Sequence, residues 1–254
     1  MTDFMIEKKK GKVELHLLRI IGKVAAEFNT VLSFLIGKQA AKNFEFCDAC
    51  GEQHGSRPNM GSPDAAMIKL LTFECLRLMR ETGAMIQHDC SAHFDRIYPA
   101  NTNIFATKVR VSKEILVSVA RTIESMERNV ETGAGVSDQS YGNRRGEPPL
   151  NGMVQGKADV PQLATQQLDV CMKAHKAIAP GLHLQGANPA RAIEHHNVAI
   201  VNDTDGHVSG DTGADDAVAD AAAKVQHSGQ TWNNIIELAG ESPALHKTNW
   251  QMIA

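Results

Sequence analysis

Two apolar runs in this sequence are followed by acidic residues, and acids in such positions could bind metal ions. Asp89 comes shortly after the apolar residues 84–86, and Asp203 and Asp205 follow the apolar run 198–201. If both runs are strands of one sheet, carboxylates at adjacent strand ends can converge on divalent cations. Two Mg²⁺ ions about 3.5–4 Å apart activate an attacking oxygen and stabilise a leaving oxygen in phosphoryl transfer. The alternative is that these acids only end strands in polar turns.

Apolar periodicity predicts the elements that would position these acids. Apolar residues recur at helical spacing in six segments. These segments are 13–41, 63–81, 112–131, 161–178, 212–226 and 229–239. Strands are predicted over 84–89 and 198–201, and the segments 44–63 and 132–161 are rich in turn formers, which indicates loops. Strands separated by helices indicate an α+β or α/β core.

The composition is that of a folded chain without strong basic character. Hydrophobic residues make up 43% of the 254 residues, aromatic residues make up 5%, and the formal net charge is −3. A strong nucleic-acid binder usually carries a basic stripe, so this charge weighs mildly against nucleic-acid binding. The five cysteines are an odd number and the N-terminus lacks an apolar signal segment. We therefore expect reduced thiols and a soluble, intracellular protein of the cytoplasm or nucleus, with no membrane segment.

Six segments, in this order along the chain, resemble the motifs of reverse transcriptases, the RNA-directed DNA polymerases. They are 53–58 (QHGSRP), 89–97 (DCSAHFDRI), 133–142 (GAGVSDQSYG), 152–156 (GMVQG), 200–203 (IVND) and 232–247. The first is similar to a fingers motif of non-LTR-type retroelement enzymes, and the second has an Asp followed five residues later by an aromatic. The third resembles a region of retroelement polymerases from diatoms and other unicellular algae. The fifth stands where the family has an aromatic-x-Asp-Asp hairpin turn.

The resemblance implies the fold and partners of a reverse transcriptase. The implied fold is α+β, with fingers and palm, an antiparallel palm sheet packed on helices, and the thumb missing because the sequence ends at Ala254. Residues 1–83 would form a fingers-like helical region, and residues 84–254 a palm-like domain with an inserted loop at 132–161. The implied partners are an RNA template, a DNA primer and deoxynucleoside triphosphates, and the implied cofactor is Mg²⁺ in a two-metal site.

The resemblance also implies a catalytic set. Asp89 would be a ligand of both metals and Asp203 a second metal ligand, with Asn202 in the catalytic turn beside it. Lys247 would protonate or neutralise the departing pyrophosphate. Without the resemblance, Lys247 is simply a solvated lysine.

Nucleotide and nucleic-acid contacts are implied in the same way. Phe94 would pack under the incoming sugar and reject a 2′-hydroxyl, while Gln155 and Gly156 would line the nucleotide pocket. Arg19 would meet the triphosphate, and Arg57 would contact the template backbone. The structural alternatives are a core position for Phe94 and a plain turn at Gln155 and Gly156.

The sequence departs from the family at the hairpin turn. The first of the two expected aspartates is Asn202, and the expected aromatic is Ile200. Asparagine removes a negative charge from a site that must hold two divalent cations. We therefore expect a diverged retroelement copy with weak or absent polymerase activity. A shift of register that uses Asp203 and Asp205 as the pair is an alternative.

Three other interpretations stay open. Cys47 and Cys50, with His54 nearby, could begin a zinc site, although a structural site needs a fourth ligand. The acidic stretch 195–216 could belong to a metal-dependent hydrolase. A remnant that binds RNA or DNA without catalysis would keep the polymerase groove and make no product.

Overall fold

The computed structural model describes residues 2–7, 18–23, 25–46, 49–91, 93–142, 153, 157–185, 192–201, 203–211 and 216–253. The α-helices are α1 (Ala26–Leu32), α2 (Gln39–Phe46), α3 (Ser62–Met79), α4 (His93–Arg96), α5 (Pro99–Lys108), α6 (Lys113–Glu124), α7 (Val160–Ile178) and α8 (Ala217–Leu238). The strands are β1 (Thr2–Glu7), β2 (Leu18–Lys23), β3 (Gly83–His88), β4 (Glu127–Thr132), β5 (Gly135–Val136), β6 (Tyr141–Gly142), β7 (Leu182–Gln185), β8 (Ala192–His195), β9 (Asn197–Ile200), β10 (Asp203–Ser209) and β11 (Asn249–Ile253). A π-helical stretch, Ser33–Lys38, joins α1 to α2, and a 3-10 turn, Leu245–Lys247, precedes β11.

The chain forms two compact units that are both discontinuous in sequence. The first unit comprises Met1–Cys47 and Phe94–Ala164, and the second comprises Asp48–His93 and Thr165–Ala254. These units do not coincide with a division at residue 83. The assignment of fingers to residues 1–83 and of palm to residues 84–254 stays a prediction.

The first unit contains a sheet and a continuous helical run from α1 through the π-helical stretch to α2. In the sheet β1 pairs antiparallel with β2 and parallel with β4, and both β5 and β6 pair antiparallel with β4. The helical run from α1 to α2 buries Leu32, Ile36, Ala40 and Phe44. This four-residue spacing places them on one face of the helix.

The predicted helix over 13–41 is wrong at its start. Leu18–Lys23 form β2, and helical structure begins at Ala26. Ile20 and Ile21 are β-branched residues, which favour strands, and β2 pairs with β1 along its whole length. Cross-strand pairing with β1 therefore overrides the helical periodicity.

The predicted helix over 112–131 is wrong at its end. Helix α6 ends at Glu124, and Glu127–Thr132 form β4. Strand β4 pairs with β1 on one side and with β5 on the other. The pairing with β1, from the beginning of the chain, is invisible in a local window, whereas the tight hairpin of β4 with β5 is local.

The second unit is built on a four-stranded sheet in the order β11-β3-β10-β9, with every pair antiparallel. The predicted strands over 84–89 and 198–201 are confirmed as β3 and β9, and the helices predicted over 63–81 and 161–178 are confirmed as α3 and α7. Helix α8 packs on one face of the sheet, where its Ala221 and Val225 join Ile86 and Val208 in one buried cluster.

Two local predictions in this unit are wrong. Asp203 and Asp205 are predicted to follow the end of a strand, but both lie within strand β10, which begins at Asp203 and pairs with β9 and β3. Two helices were expected over 212–226 and 229–239, but α8 is continuous. Gly229 lies in the middle of α8, where a Cβ would come within 2.6 Å of Ile86 Cδ1. The glycine therefore serves close packing of helix on sheet.

The core of the second unit lies around Trp232, which is 1% exposed. It packs with Leu168 and Met172 of α7 and with Ile236 of α8. An α+β architecture with an antiparallel sheet packed on helices is thereby confirmed. Within the described part of the chain, none of the helices combines the length and apolarity that a bilayer crossing requires.

Candidate active site

The pairing of β3 with β10 brings two predicted site residues together. His88, the last residue of β3, pairs with Thr204. Asp89 follows His88 and Asp203 precedes Thr204, so the two acids lie at the same end of adjacent antiparallel strands. Partial burial, followed by repulsion from Asp89 and Asp205, raises the pKa of Asp203 above its usual value. Asp89 and Asp203 are therefore neighbours across the pairing of β3 with β10.

Lys247 joins this pair of acids. Its ammonium forms a short ion pair with the carboxylate of Asp89. The backbone of the same segment is fixed as well, because the Ala244 N–H donates to the Asp89 carbonyl over 2.8 Å and the Lys247 N–H donates to the Ala244 carbonyl over 2.8 Å. The lysine is thus held at the carboxylate by the 3-10 turn that carries it.

Asp205 shares a face of the sheet with Asp203. The two residues are separated by one position on β10, and alternate residues of a strand point to the same side. Asp205 forms an ion pair with Lys69 of α3 at 2.7 Å. Its carboxylate is mostly buried, with 12% of the side chain exposed. The candidate site therefore brings together three carboxylates and two lysines, which are Asp89, Asp203, Asp205, Lys69 and Lys247.

The hairpin turn between β9 and β10 has two residues. Ile200 pairs with Asp203 across it, and Val201 has a φ of +56°. Turns of this length favour positive φ, but a branched residue is strained there. Asn202, the departure from the family pattern, lies outside the described residues.

The remaining predicted site residues are distributed over both units. Arg57 donates from Nη1 to the Cys50 carbonyl at 2.7 Å and to the Gln53 carbonyl at 2.9 Å, which fixes its own loop. Phe94 belongs to the first unit, where its carbonyl accepts a hydrogen bond from the Met153 N–H at 2.6 Å. Arg19 lies in β2. The binding roles of these residues stay predictions.

Two predicted positions and one ligand of the alternative zinc site fall on undescribed residues. Gln155 and Gly156 lie outside the described part of the chain, as does Cys47 of the zinc alternative. Cys50 of that alternative is buried, and its thiol lies 3.6 Å from Glu52 Oε2. Burial raises the pKa of Cys50 to about 11.

A buried polar cluster beside Asp89 was missed by sequence reasoning. Ligating atoms of Cys90, His93 and Glu241 all lie within 4.8 Å of one another. The Glu241 carboxylate accepts from Gln167 Nε2 at 2.7 Å and lies 2.5 Å from His93 Nδ1. Burial raises the pKa of Cys90 above its ordinary value. Since hydrogen bonds already satisfy this carboxylate, we interpret the cluster as an anchor for the segment that carries Asp89.

A second buried group lies behind the sheet, on the side of α8. His88 stacks on Trp232 with ring centroids 5.7 Å apart. Burial, with a smaller contribution from His175, lowers the pKa of His88 to about 3. His175 in turn lies 3.1 Å from both the Asn197 amide nitrogen and the Ser228 hydroxyl. No spacing in the sequence connects these residues, which come from four different elements.

Comparisons with known proteins give a structural likeness at low sequence identity. No protein-family model matches the sequence, and no curated protein matches it. Telomerase of Candida albicans, solved with the TWJ fragment of telomeric RNA, has a TM-score of 0.62 at 12% identity, covering 98% of this chain and 41% of that one. Telomerase of Candida tropicalis gives 0.57 at 12% identity with the TWJ fragment, covering 99% and 41%, and 0.54 at 13% identity as a C-terminally truncated apo form, covering 93% and 48%.

These likenesses establish the fold. Telomerase is a reverse-transcriptase-related enzyme, so the predicted reverse-transcriptase-like fold is confirmed over nearly the whole chain. The chain spans less than half the length of these solved structures. At 12–13% identity the likeness concerns fold alone.

Proposed function

We propose that the chain is the polymerase domain of a reverse transcriptase from a non-LTR-like retroelement, similar to those of diatoms and other unicellular algae. Its substrates would be an RNA template, a DNA primer and deoxynucleoside triphosphates. The observation that carries the proposal is the position of Asp89 and Asp203 at the same end of β3 and β10, within a reverse-transcriptase-like fold. The solved complexes of its structural neighbours with telomeric RNA support an RNA partner.

The donor set fits Mg²⁺, which prefers carboxylate oxygens. Asp89 and Asp203 would hold the metal, and Asp205 adds a third carboxylate on the same face of β10. Bound Mg²⁺ would activate the primer hydroxyl and neutralise charge on the leaving pyrophosphate. Burial and, after it, repulsion from Asp89 and Asp205 raise the pKa of Asp203. This supports the interpretation, because a bound cation would relieve the repulsion between neighbouring carboxylates.

The charge of the site supports weak or absent catalysis in this copy. Asn202 offers a neutral amide where the family has a carboxylate. Lys247 and Lys69 neutralise Asp89 and Asp205 in the folded chain. A site with one fewer anion and two internal cations attracts divalent ions less strongly.

The other roles follow from the resemblance. Lys247, already held at Asp89, would turn to the departing pyrophosphate as a proton donor. Phe94 would act as the steric gate against a 2′-hydroxyl, and Arg19 would meet the triphosphate. Gln155 and Gly156 would line the nucleotide pocket.

Primer extension on a homopolymer RNA template with an annealed DNA primer tests the proposal. We expect little or no Mg²⁺-dependent product from the unmodified chain and an increase of about tenfold or more from Asn202→Asp, the scale of one preorganised charged group. Asp89→Asn in the Asn202→Asp background is the matched control and should abolish the gain. Robust synthesis by the unmodified chain would overturn the claim of weakened catalysis.

A non-catalytic nucleic-acid-binding remnant is the second candidate. The ion pairs of Lys247 and Lys69 favour it, because they compensate the carboxylates without a metal. Such a remnant would bind primer–template with an affinity that falls with salt. It would give no product even when Asn202 is changed to Asp.

A further inference from the structure

The tip of the β9–β10 hairpin holds a branched residue in the left-handed region of φ and ψ. Val201 has a φ of +56° and stands directly after Ile200, which pairs with Asp203. A branched side chain persists in this conformation only where its surroundings fix it. The contacts that fix Val201 therefore also determine where Asp203 begins its strand.

Gln53 supplies such contacts. Its side chain is fully buried, at 0% exposure. Its Oε1 accepts from the Val201 N–H at 3.3 Å and from the Gly55 N–H at 2.7 Å. Its Nε2 donates to the Val201 carbonyl at 3.4 Å. One side-chain amide thus binds both backbone polar groups of the strained residue.

Backbone contacts align Gln53 with the hairpin. The Ala199 N–H donates to the Glu52 carbonyl at 2.9 Å, and the His54 N–H donates to the Ala199 carbonyl at 2.7 Å. Gly55 approaches the turn so closely that a Cβ there would lie 2.2 Å from Val201 N. The segment 52–55, which we call the brace, is therefore attached to β9 by main-chain bonds as well as by Gln53.

We propose that Gln53 is a positioning residue, which holds the Val201 turn and through it keeps Asp203 in register with Asp89 for cation binding. The cation-binding part of this inference rests on the proposed function. Gln53 reaches the site through the backbone of Val201, so its substitution shifts the Asp203 carboxylate without removing any carboxylate from the site.

Amide hydrogen exchange in the full 254-residue chain tests the brace directly. Gln53→Met keeps a similar volume and removes both hydrogen-bonding groups of the side-chain amide. We expect exchange at the Val201 amide to become about tenfold faster. The His207 amide, which donates to the His196 carbonyl at 2.8 Å, should exchange at an unchanged rate. Equal exchange at Val201 in both proteins would overturn the proposal.

Gln166→Met is the matched control. Gln166 is also a buried glutamine, and within the described part of the chain its side-chain nitrogen and oxygen have no hydrogen-bond partner. Its replacement should leave exchange at Val201 unchanged. Faster exchange at Val201 in this variant would mean that general loosening, and not the loss of the Gln53 bonds, causes the effect.

Mn²⁺ titration followed by electron paramagnetic resonance tests the consequence for the site. We expect Gln53→Met to lower Mn²⁺ affinity about tenfold, and to lower it less in a Val201→Gly background, because glycine takes positive φ without strain. Equal losses in both backgrounds would contradict a role through the turn. Absence of Mn²⁺ binding by the unmodified chain would count against the proposed function, whereas unchanged exchange at Val201 counts against the role of Gln53.

Discussion

Lys247 and Asp89 are 158 residues apart in the sequence and form an ion pair in the folded chain. The Asp89 carboxylate is the more buried partner, with 17% of its side chain exposed against 56% for Lys247. An internal cation therefore lies against the carboxylate that we assign to metal binding. An external divalent ion therefore competes with this lysine for the Asp89 carboxylate.

Removal of the lysine charge is expected to strengthen cation binding. Lys247→Met should raise Mn²⁺ affinity by about three- to tenfold, since it removes a partly solvated competitor for Asp89. Titration followed by electron paramagnetic resonance at fixed ionic strength measures the change. Lys247→Arg keeps the charge and should behave as the unmodified chain. An unchanged affinity in Lys247→Met would show that the ion pair does not limit access to the carboxylate.

The raised pKa of Asp203 predicts opposite effects of one substitution on stability and on cation binding. Because the folded state holds the Asp203 proton more tightly than the unfolded state, the associated stability is present below the ordinary pKa of 3.8 and is lost as the pH rises through the raised value. At pH 7 and without divalent ions, Asp203→Asn should therefore raise Tm by about 2 °C, the size of an effect below ~1 kcal/mol in such a domain.

Divalent ions should reverse the order of the Tm values of Asp203→Asn and the unmodified chain. Mg²⁺ should raise the Tm of the unmodified chain and leave that of Asp203→Asn nearly unchanged, because a ligand stabilises only the state that binds it. Scanning calorimetry at pH 7 and pH 3, with and without Mg²⁺, measures both effects. A Tm of Asp203→Asn below that of the unmodified chain at pH 7 without metal would contradict the unfavourable burial and repulsion of the Asp203 carboxylate.

Elements with strong local patterns were predictable from the sequence. Helix α3 begins near Pro63 and ends before Gly83, and β3 and β9 are short apolar runs, so all three were located. Strands β1, β4 and β11 were missed. The pairings of β4 with β1 and of β11 with β3 join segments far apart in the sequence, and no local window contains both partners. Strands with nearer partners, which are β2, β5, β6, β7, β8 and β10, were not predicted either.

The acidic residues of the candidate site were predictable from the sequence, but the contacts that hold them in position were not. Asp89 and Asp203 stand at strand ends, which a sequence can show. The pairing of Lys69 with Asp205 and the contacts of Gln53 with Val201 depend on how α3 and the brace cross the sheet. Such contacts follow from tertiary packing and leave no periodic signal.

The ion pair between Lys69 and Asp205 is expected to contribute to stability. Lys69→Met would leave a mostly buried carboxylate without its partner, at a cost of about 2 kcal/mol, between the values for exposed and fully buried pairs. Urea unfolding without divalent ions measures the loss. The double variant Lys69→Met/Asp205→Asn removes the uncompensated charge and should recover most of it. A loss as large in the double variant as in the single one would assign the effect to packing of the lysine stem.

The buried imidazole of His88 should make the fold sensitive to acid. Its pKa is lowered to about 3, first by burial and then by His175, so below about pH 6.5 the unfolded chain binds a proton that the folded chain excludes. Between pH 6.5 and pH 5 this single group should reduce the free energy of unfolding by about 2 kcal/mol.

Replacement of His88 by phenylalanine should remove that dependence. Within the described part of the chain neither ring nitrogen of His88 has a hydrogen-bond partner, so His88→Phe removes unpaired polar atoms and keeps an aromatic ring on Trp232. Urea unfolding gives the free energy of unfolding at pH 7 and at pH 5. The decrease between the two pH values should be about 2 kcal/mol smaller in His88→Phe than in the unmodified chain. His227→Gln, at an exposed position of α8, is the control and should retain the full difference. If the free energy of unfolding falls as much between pH 7 and pH 5 in His88→Phe as in the unmodified chain, other groups cause the acid sensitivity. His207, whose burial lowers its pKa to about 3, would then be the next residue to replace.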